Sequence, residues 1–167
     1  MEKENEIENI MQQALESKEF VIYYQPKIST QNDKITEAEA LVRWFRNGKL
    51  IPPNDFIPIF EKNRFIIKLD KYIFEEVCKD LNDWKQKNVK VPMISINISK
   101  EHFYEEEFIK EFVDIAKKYN IDPKEIELEI TESATLNSNI DVIKIMNNIK
   151  KYGFRISLDD FGTGTST

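Results

Sequence analysis

The sequence predicts an α/β fold, in which strands alternate with helices and most of the strands run parallel. Five short segments rich in β-branched and aromatic residues are separated by segments whose apolar residues recur at helical spacing. The alternation is regular in the second half of the chain, where strand, helix, strand, helix and strand follow one another. Hydrophobic residues make up 41% of the 167 residues, which is enough apolar content for one packed domain.

The first predicted elements are a helix and a β-hairpin. One strand is predicted from Phe20 to Tyr24, ended by Gln25-Pro26, and a second from Ile35 to Trp44. The turn residues Gln31 to Asp33 lie between them, so the two strands are placed to pair with each other. A short amphipathic helix is expected before the first strand, because five apolar residues lie at helical spacing: Ile7, Ile10, Met11, Ala14 and Leu15.

A loop and a long helix are predicted after the hairpin. Asn47-Gly48 and Pro52-Pro53 mark the loop. The helix is expected over about residues 68–87, because an apolar stripe that includes Leu69 and Val77 runs through this segment.

The second half of the chain supplies three strands and two helices. Apolar residues at helical spacing predict one helix around residues 108–119 and another around residues 140–149, which stops at Gly153, a residue type that favours helix ends. Strands joined through helices in this way are parallel. The three strands are Val91–Ile98, Ile126–Ile130 and Phe154–Leu158.

The composition excludes several classes of protein. With 24 basic and 30 acidic residues the net charge is −6, which argues against a protein that binds a nucleic-acid polymer through clustered lysine and arginine. The one cysteine, Cys78, allows neither an internal disulfide nor a cysteine metal cluster, and its helical position predicts a partly buried, inert thiol. The polar start does not resemble a secretory signal, and no apolar run approaches the roughly 20 residues of a membrane span. We therefore expect a cytoplasmic protein with no membrane segment.

Polar residues line one face of four of the predicted strands, although strands of a parallel sheet are usually apolar on both faces. They lie toward the carboxyl ends of these strands, where α/β barrels and open sheets build their sites. We expect the carboxylates and the amide among them to converge. These residues are Glu39, Asn97, Glu129, Asp159 and Asp160.

Such a set of oxygen ligands suits a hard divalent cation such as Mg²⁺, Mn²⁺ or Ca²⁺. Buried carboxylates without a counter-charge are costly, and bound metal is the simplest way to stabilise them. Adjacent aspartates at a strand end can serve two ions, and two-metal sites stabilise in-line phosphoryl displacement. Two alternatives stay open: an intrastrand ion pair between Glu39 and Arg43, and a hydrogen-bonded buried amide at Asn97.

Six sequence blocks resemble the EAL domain family of cyclic di-GMP-specific phosphodiesterases, in the family's order and spacing over about residues 20–167. The resemblance implies a modified TIM (β/α) barrel with an antiparallel first strand, of which only about the first five strands are present. It also implies that residues 20–167 form an EAL-type domain incomplete at its C-terminus, and the helix predicted from apolar spacing, within residues 1–19, leads into that domain. The blocks are Tyr24-Gln-Pro26, Glu39-Ala-Leu-Val-Arg43, Phe56-Ile-Pro58, Ser95-Ile-Asn-Ile-Ser99, Glu127-Leu-Glu-Ile-Thr-Glu-Ser133 and Asp159-Asp-Phe-Gly-Thr-Gly164.

The resemblance further implies roles for individual residues. Gln25, Leu41 and Arg43 match nucleotide-contacting positions, with Arg43 on a phosphate oxygen, and Glu132 matches the glutamate that steadies the loop after the paired aspartates. The implied reaction is hydrolysis of one 3′–5′ phosphodiester bond of cyclic di-GMP to linear pGpG, assisted by two Mg²⁺ or Mn²⁺ ions. The implied catalytic residues are Glu39, Glu132, Asp159 and Asp160, and the implied metal ligands are Glu39, Asn97, Glu129, Asp159 and Asp160.

The chain also departs from the family pattern. Thr165 stands where an aromatic residue is usual, Arg64 stands where glycine is common, and the later segments that supply a lysine, a glutamate and a glutamine to the site are absent. We therefore expect the 167-residue chain to have little or no activity alone, and an exposed sheet edge to favour a homodimer. The alternative function is a degenerate, non-catalytic cyclic di-GMP receptor or protein-interaction module.

His102 is predicted to be a surface residue.

Overall fold

The structure is a computed structural model that describes residues 2–131 and 141–159. In these residues a single sheet is covered by helices. Its strands are β1 (Phe20–Ile28), β2 (Ile35–Arg46), β3 (Lys49–Ile51), β4 (Met93–Asn97), β5 (Ile126–Thr131) and β6 (Arg155–Asp159). The α-helices are α1 (Glu2–Glu16), α2 (Pro53–Lys62), α3 (Ile66–Gln86), α4 (Phe108–Lys118) and α5 (Val142–Lys151), and Lys100–Tyr104 and Pro123–Glu125 form short 3₁₀ helices.

The sheet has the predicted parallel character with one antiparallel end. Its strand order is β1-β2-β4-β5-β6, and β3 pairs with β2 outside this path. β1 runs antiparallel to β2, while β2, β4, β5 and β6 are mutually parallel. The α/β class, the first hairpin and the antiparallel first strand are therefore confirmed.

Alternation along the strands separates an apolar face from a polar one. Residues such as Ala40, Ile96 and Leu128 lie on the apolar face and are 3% exposed or less, within the same core as buried residues of α3 and α4. An aromatic cluster closes one part of this core, where the Trp44 ring centroid lies 4.9 Å from that of Phe20. α1 adds Ile7 and Ala14 to the same core, so the N-terminal helix packs with the sheet rather than apart from it.

Two of the predicted boundaries are wrong at prolines. β1 does not end at Gln25-Pro26 but continues to Ile28. Proline lacks a backbone N–H, which an edge strand tolerates, and in the described sheet β1 pairs with β2 alone. Pro53 does not belong to a loop but opens α2, because its fixed φ suits the first position of a helix.

Asn47-Gly48 is a tight turn rather than part of a loop. The φ angles of these residues are +53° and +75°, and this left-handed pair joins β2 to β3 as a two-residue hairpin. Arg64 also has a positive φ, +67°, which explains why glycine suits this position better than arginine.

The prediction that His102 lies on the surface is wrong. Its side chain is fully buried, and its Nε2 is 2.8 Å from Oδ2 of Asp70 on α3. The ring packs between Phe108 and Phe112, at centroid distances of 5.8 and 5.4 Å.

Cys78 is buried, and burial raises the pKa of its thiol to about 12, so the prediction of an inert thiol agrees with its surroundings. Among the described helices, none combines the length and the apolar character needed to cross a membrane.

Candidate functional site

The predicted site residues lie on the polar face of the sheet, in two layers set by strand register. In the first layer Glu39 is the register partner of Ser95, which in turn partners Glu127. In the second layer Asn97 partners Glu129 on the neighbouring parallel strand. Strand register thus places Glu39, Asn97 and Glu129 on one face of the sheet. Glu39 lies within β2 rather than at its carboxyl end, and Asn97 is exposed, so the buried amide is not formed.

Glu39 is a buried carboxylate that has no charge partner among the described residues. It is 8% exposed, and no hydrogen bond or ion pair joins it to another residue of the described structure. In particular Arg43 does not pair with it, so the intrastrand ion pair is not formed. Burial of a carboxylate favours a nearby positive charge, which a bound cation would supply.

Glu129 and Glu127 lie in a more strongly charged part of the same face. Glu129 is 7% exposed, and its Oε1 is 3.7 Å from Nζ of Lys27 on β1. Burial raises the pKa of Glu127, and the neighbouring charge of Glu37 raises it further, while Lys27 and Arg155 act in the opposite direction. Two cations, Lys27 and Arg155, thus act on a group of three carboxylates, Glu37, Glu127 and Glu129.

Leu41, Arg43 and Asn97 line a cleft of about 260 Å³, whose acidic lining residues are Glu61 and Asp70. Arg43 donates from Nη1 to the carbonyl of Val42 at 2.9 Å, and its guanidinium lies 5.9 Å from the centre of the Tyr23 ring. The remaining N–H groups of the Arg43 guanidinium can donate hydrogen bonds to an anion in the cleft. Gln25 is exposed on β1 as the register partner of Glu39, so it borders the same face.

The turn after β4 is held by residues that the sequence did not identify. Asp70 accepts hydrogen bonds from the Ser99 backbone N–H at 3.1 Å and from His102 at 2.8 Å. Ser99 also donates from its hydroxyl to Glu61 at 2.9 Å. Because Ser99 follows Asn97 by two residues, this network fixes the backbone that carries Asn97. The sequence marks Asp70 only as an acidic residue within the apolar stripe of α3. That position does not indicate that Ser99 and His102 are its partners.

Several predicted site residues fall outside what the structure describes. Asp160, Glu132 and Thr165 lie outside the described residues, and Asp159 is described only by its backbone, as the register partner of Thr131. In residues 2–131 and 141–159 no three carboxylate, histidine or cysteine side chains lie close enough together to hold a metal ion. The five-residue ligand set therefore stays a prediction.

Nearly the whole chain is similar in sequence to known proteins. A sequence model described as the EAL domain matches residues 8–167. Signaling protein YkoW of Bacillus subtilis (strain 168) is 37% identical over 161 residues, which cover 96% of this chain and 20% of that protein. Cyclic di-GMP phosphodiesterase PA2567 of Pseudomonas aeruginosa is 33% identical over 159 residues, with 93% of this chain and 27% of that protein covered.

A solved structure supports the fold independently. The PaMucR phosphodiesterase in complex with c-di-GMP aligns with a TM-score of 0.86 at 29% identity, covering 97% of this chain and 66% of that one. The chain spans about a fifth of the length of the first curated relatives that it matches.

Proposed function

The chain belongs to the EAL domain family, and from this membership we propose that its EAL domain hydrolyses one 3′–5′ phosphodiester bond of cyclic di-GMP to give linear pGpG. The observation that carries the proposal is the position of Glu39, Asn97 and Glu129 on one sheet face, with Asn97 also lining the Arg43 cleft. A relative 33% identical to the chain is named as a cyclic di-GMP phosphodiesterase, which supports the same substrate. The role would lie in bacterial second-messenger signalling in the cytoplasm.

The side-chain types of the predicted ligand set fit a divalent metal, while the described part of that set does not by itself form a metal cluster. Glu39 is a buried carboxylate that lacks a charge partner within the described residues, and Asn97 adds a neutral oxygen donor on the next strand. Together with Glu129, Asp159 and Asp160 they would hold Mg²⁺ or Mn²⁺, most simply as a pair of ions. When bound, these ions stabilise negative charge on phosphoryl oxygens and promote ionisation of a water molecule.

The chain's own residues would bind and orient the substrate. Arg43 can offer a planar pair of N–H donors to a phosphodiester oxygen, which fixes the orientation of the phosphate as well as neutralising its charge. Leu41 is 8% exposed and gives the cleft an apolar wall, while Gln25 offers amide groups from the adjoining strand. Glu132, at the start of the segment after β5, would steady the loop that follows the paired aspartates.

The test is turnover of cyclic di-GMP by the purified EAL domain with Mg²⁺ or Mn²⁺, followed by chromatography of the nucleotide products. Glu39→Gln removes one proposed ligand charge with little change of shape, and we expect it to abolish formation of pGpG. Glu37→Gln is the matched control, because Glu37 lies two residues earlier on the same strand and face but outside the proposed ligand set.

Three outcomes distinguish the proposed hydrolase from a receptor and from a wrongly assigned site. Turnover in the wild type and in Glu37→Gln, with loss in Glu39→Gln, supports the proposed hydrolysis. Binding of cyclic di-GMP without turnover would instead favour the receptor function. Equal turnover in wild type and Glu39→Gln would refute the assigned site. The low activity of the 167-residue chain alone and the homodimer stay predictions, which the same assay and size-exclusion chromatography test.

A further inference from the structure

Lys27 brings a cation onto the same face as the proposed metal ligands. It lies on β1, where its register partner is Glu37. Its Nζ is 3.7 Å from Oε1 of Glu129, whose side chain is 8% exposed. β2 and β4 separate β1 from β5 in the sheet, so this ion pair spans the polar face instead of joining neighbouring strands. The sheet must curl toward that face for the two side chains to meet.

The ammonium of Lys27 acts on more than one carboxylate. Besides its pair with Glu129, it has the carboxylate of Glu37 as its register partner on β2. The lysine side chain is 51% exposed, and its flexible stem lets the charge move away into solvent. Lys27 is thus placed both to neutralise these carboxylates and to leave them.

We propose that Lys27 is a tethered counter-cation of the site, which neutralises Glu129 while no divalent ion is bound and is displaced when one binds. The inference rests on the proposed function, because it takes Glu129 as a metal ligand. Lys27 belongs neither to the proposed metal ligands nor to the proposed substrate contacts. The inference gives it the function of competing with the metal for Glu129.

The expected effect follows from the repulsion between the two cations. The two charges are the ammonium of Lys27 and a divalent ion bound at Glu129. At a separation of about 6 Å in a water-like dielectric, their repulsion equals about a tenfold change in affinity. Movement of the ammonium into solvent lowers this effect. We therefore expect Lys27→Met to bind a divalent ion about three- to tenfold more tightly than the wild type.

The experiment is calorimetric titration of the full 167-residue chain with Mn²⁺ alone. Lys27→Arg keeps the charge and should bind Mn²⁺ with nearly the wild-type Kd. Lys117→Met is the matched control for loss of a lysine charge, because Lys117 is exposed on α4 and forms no ion pair within the described residues. Far-ultraviolet circular dichroism of each variant establishes that it is folded before titration.

A lower Kd for Lys27→Met, with wild-type values for Lys27→Arg and Lys117→Met, supports the inference. A Kd for Lys27→Met that equals or exceeds the wild-type value overturns it and leaves the metal site standing. If the wild type and every variant bind no Mn²⁺, the metal part of the proposed function fails, and the role of Lys27 fails with it. An equal gain in affinity in Lys117→Met would show a general charge effect and would also overturn the inference.

Discussion

Replacement of Asp70 by alanine should destabilise the protein more than any other single change at a charged residue of α3. Asp70 is 5% exposed and accepts hydrogen bonds from Ser99 at 3.1 Å and from His102 at 2.8 Å. Alanine leaves both donors without their acceptor. Because a buried donor left unsatisfied costs about 1–3 kcal/mol, and Ser99 lies nearer the surface, we expect a loss of about 3 kcal/mol.

This free energy converts to a clear thermal shift. With an unfolding entropy of about 2.1 cal/mol/K per residue, a chain of this size should unfold about 9 °C lower after Asp70→Ala. Differential scanning calorimetry measures the midpoint directly. Urea titration monitored by tryptophan fluorescence gives the free energy of unfolding independently.

Two further variants show whether the hydrogen bonds are responsible. Asp70→Asn should lose only about 1 kcal/mol, because its amide oxygen still accepts one hydrogen bond and His102 can change tautomer. That change is open to His102 because its Nδ1 has no hydrogen-bond partner in the described structure. Asp114→Ala, on the exposed side of α4, should have nearly wild-type stability. If Asp70→Ala and Asp114→Ala unfold at the same midpoint, the reasoning is wrong.

Three other predictions concern charge, thiol reactivity and backbone conformation. Burial and Glu37 raise the pKa of Glu127 and so disfavour its charged form in the folded state, and Glu127→Gln should therefore increase stability at pH 7. The gain should vanish in urea titrations below about pH 4, where glutamate is protonated in both states, and an equal gain at both pH values would contradict this. The Cys78 thiol, with its pKa raised to about 12, should react with a disulfide reagent at pH 8 only after unfolding, and rapid reaction in the native protein would count against its burial. Gly48→Ala should cost about 1 kcal/mol in urea titration because alanine disfavours positive φ, whereas Lys49→Ala at the next residue should cost less.

Local patterns in the sequence predicted most of the fold. Helical spacing of apolar residues predicted α3 and α4 within about two residues of their ends, and period-two alternation placed Glu39, Asn97 and Glu129 on one face. These features depend on the residues of a single element, so they can be read without knowledge of the rest of the chain.

The features that were missed depend on contacts between distant residues or on the place of an element in the sheet. Pro26 is compatible with a strand only because β1 lies at the edge of the described sheet, and β3 has just three residues. His102 is buried because Asp70, 32 residues earlier, supplies its hydrogen-bond partner. Likewise the Lys27 pair with Glu129 exists only once four strands are assembled.

We propose that the polar face of this sheet holds divalent metal for phosphodiester hydrolysis. Anomalous X-ray scattering from crystals of the protein soaked in Mn²⁺ tests it most directly. We predict an anomalous peak within about 2.0–2.6 Å of side-chain oxygens of Glu39, Asn97 and Glu129, with the ammonium of Lys27 withdrawn from Glu129. Mn²⁺ bound only elsewhere, with Glu39 still uncoordinated, would contradict the account.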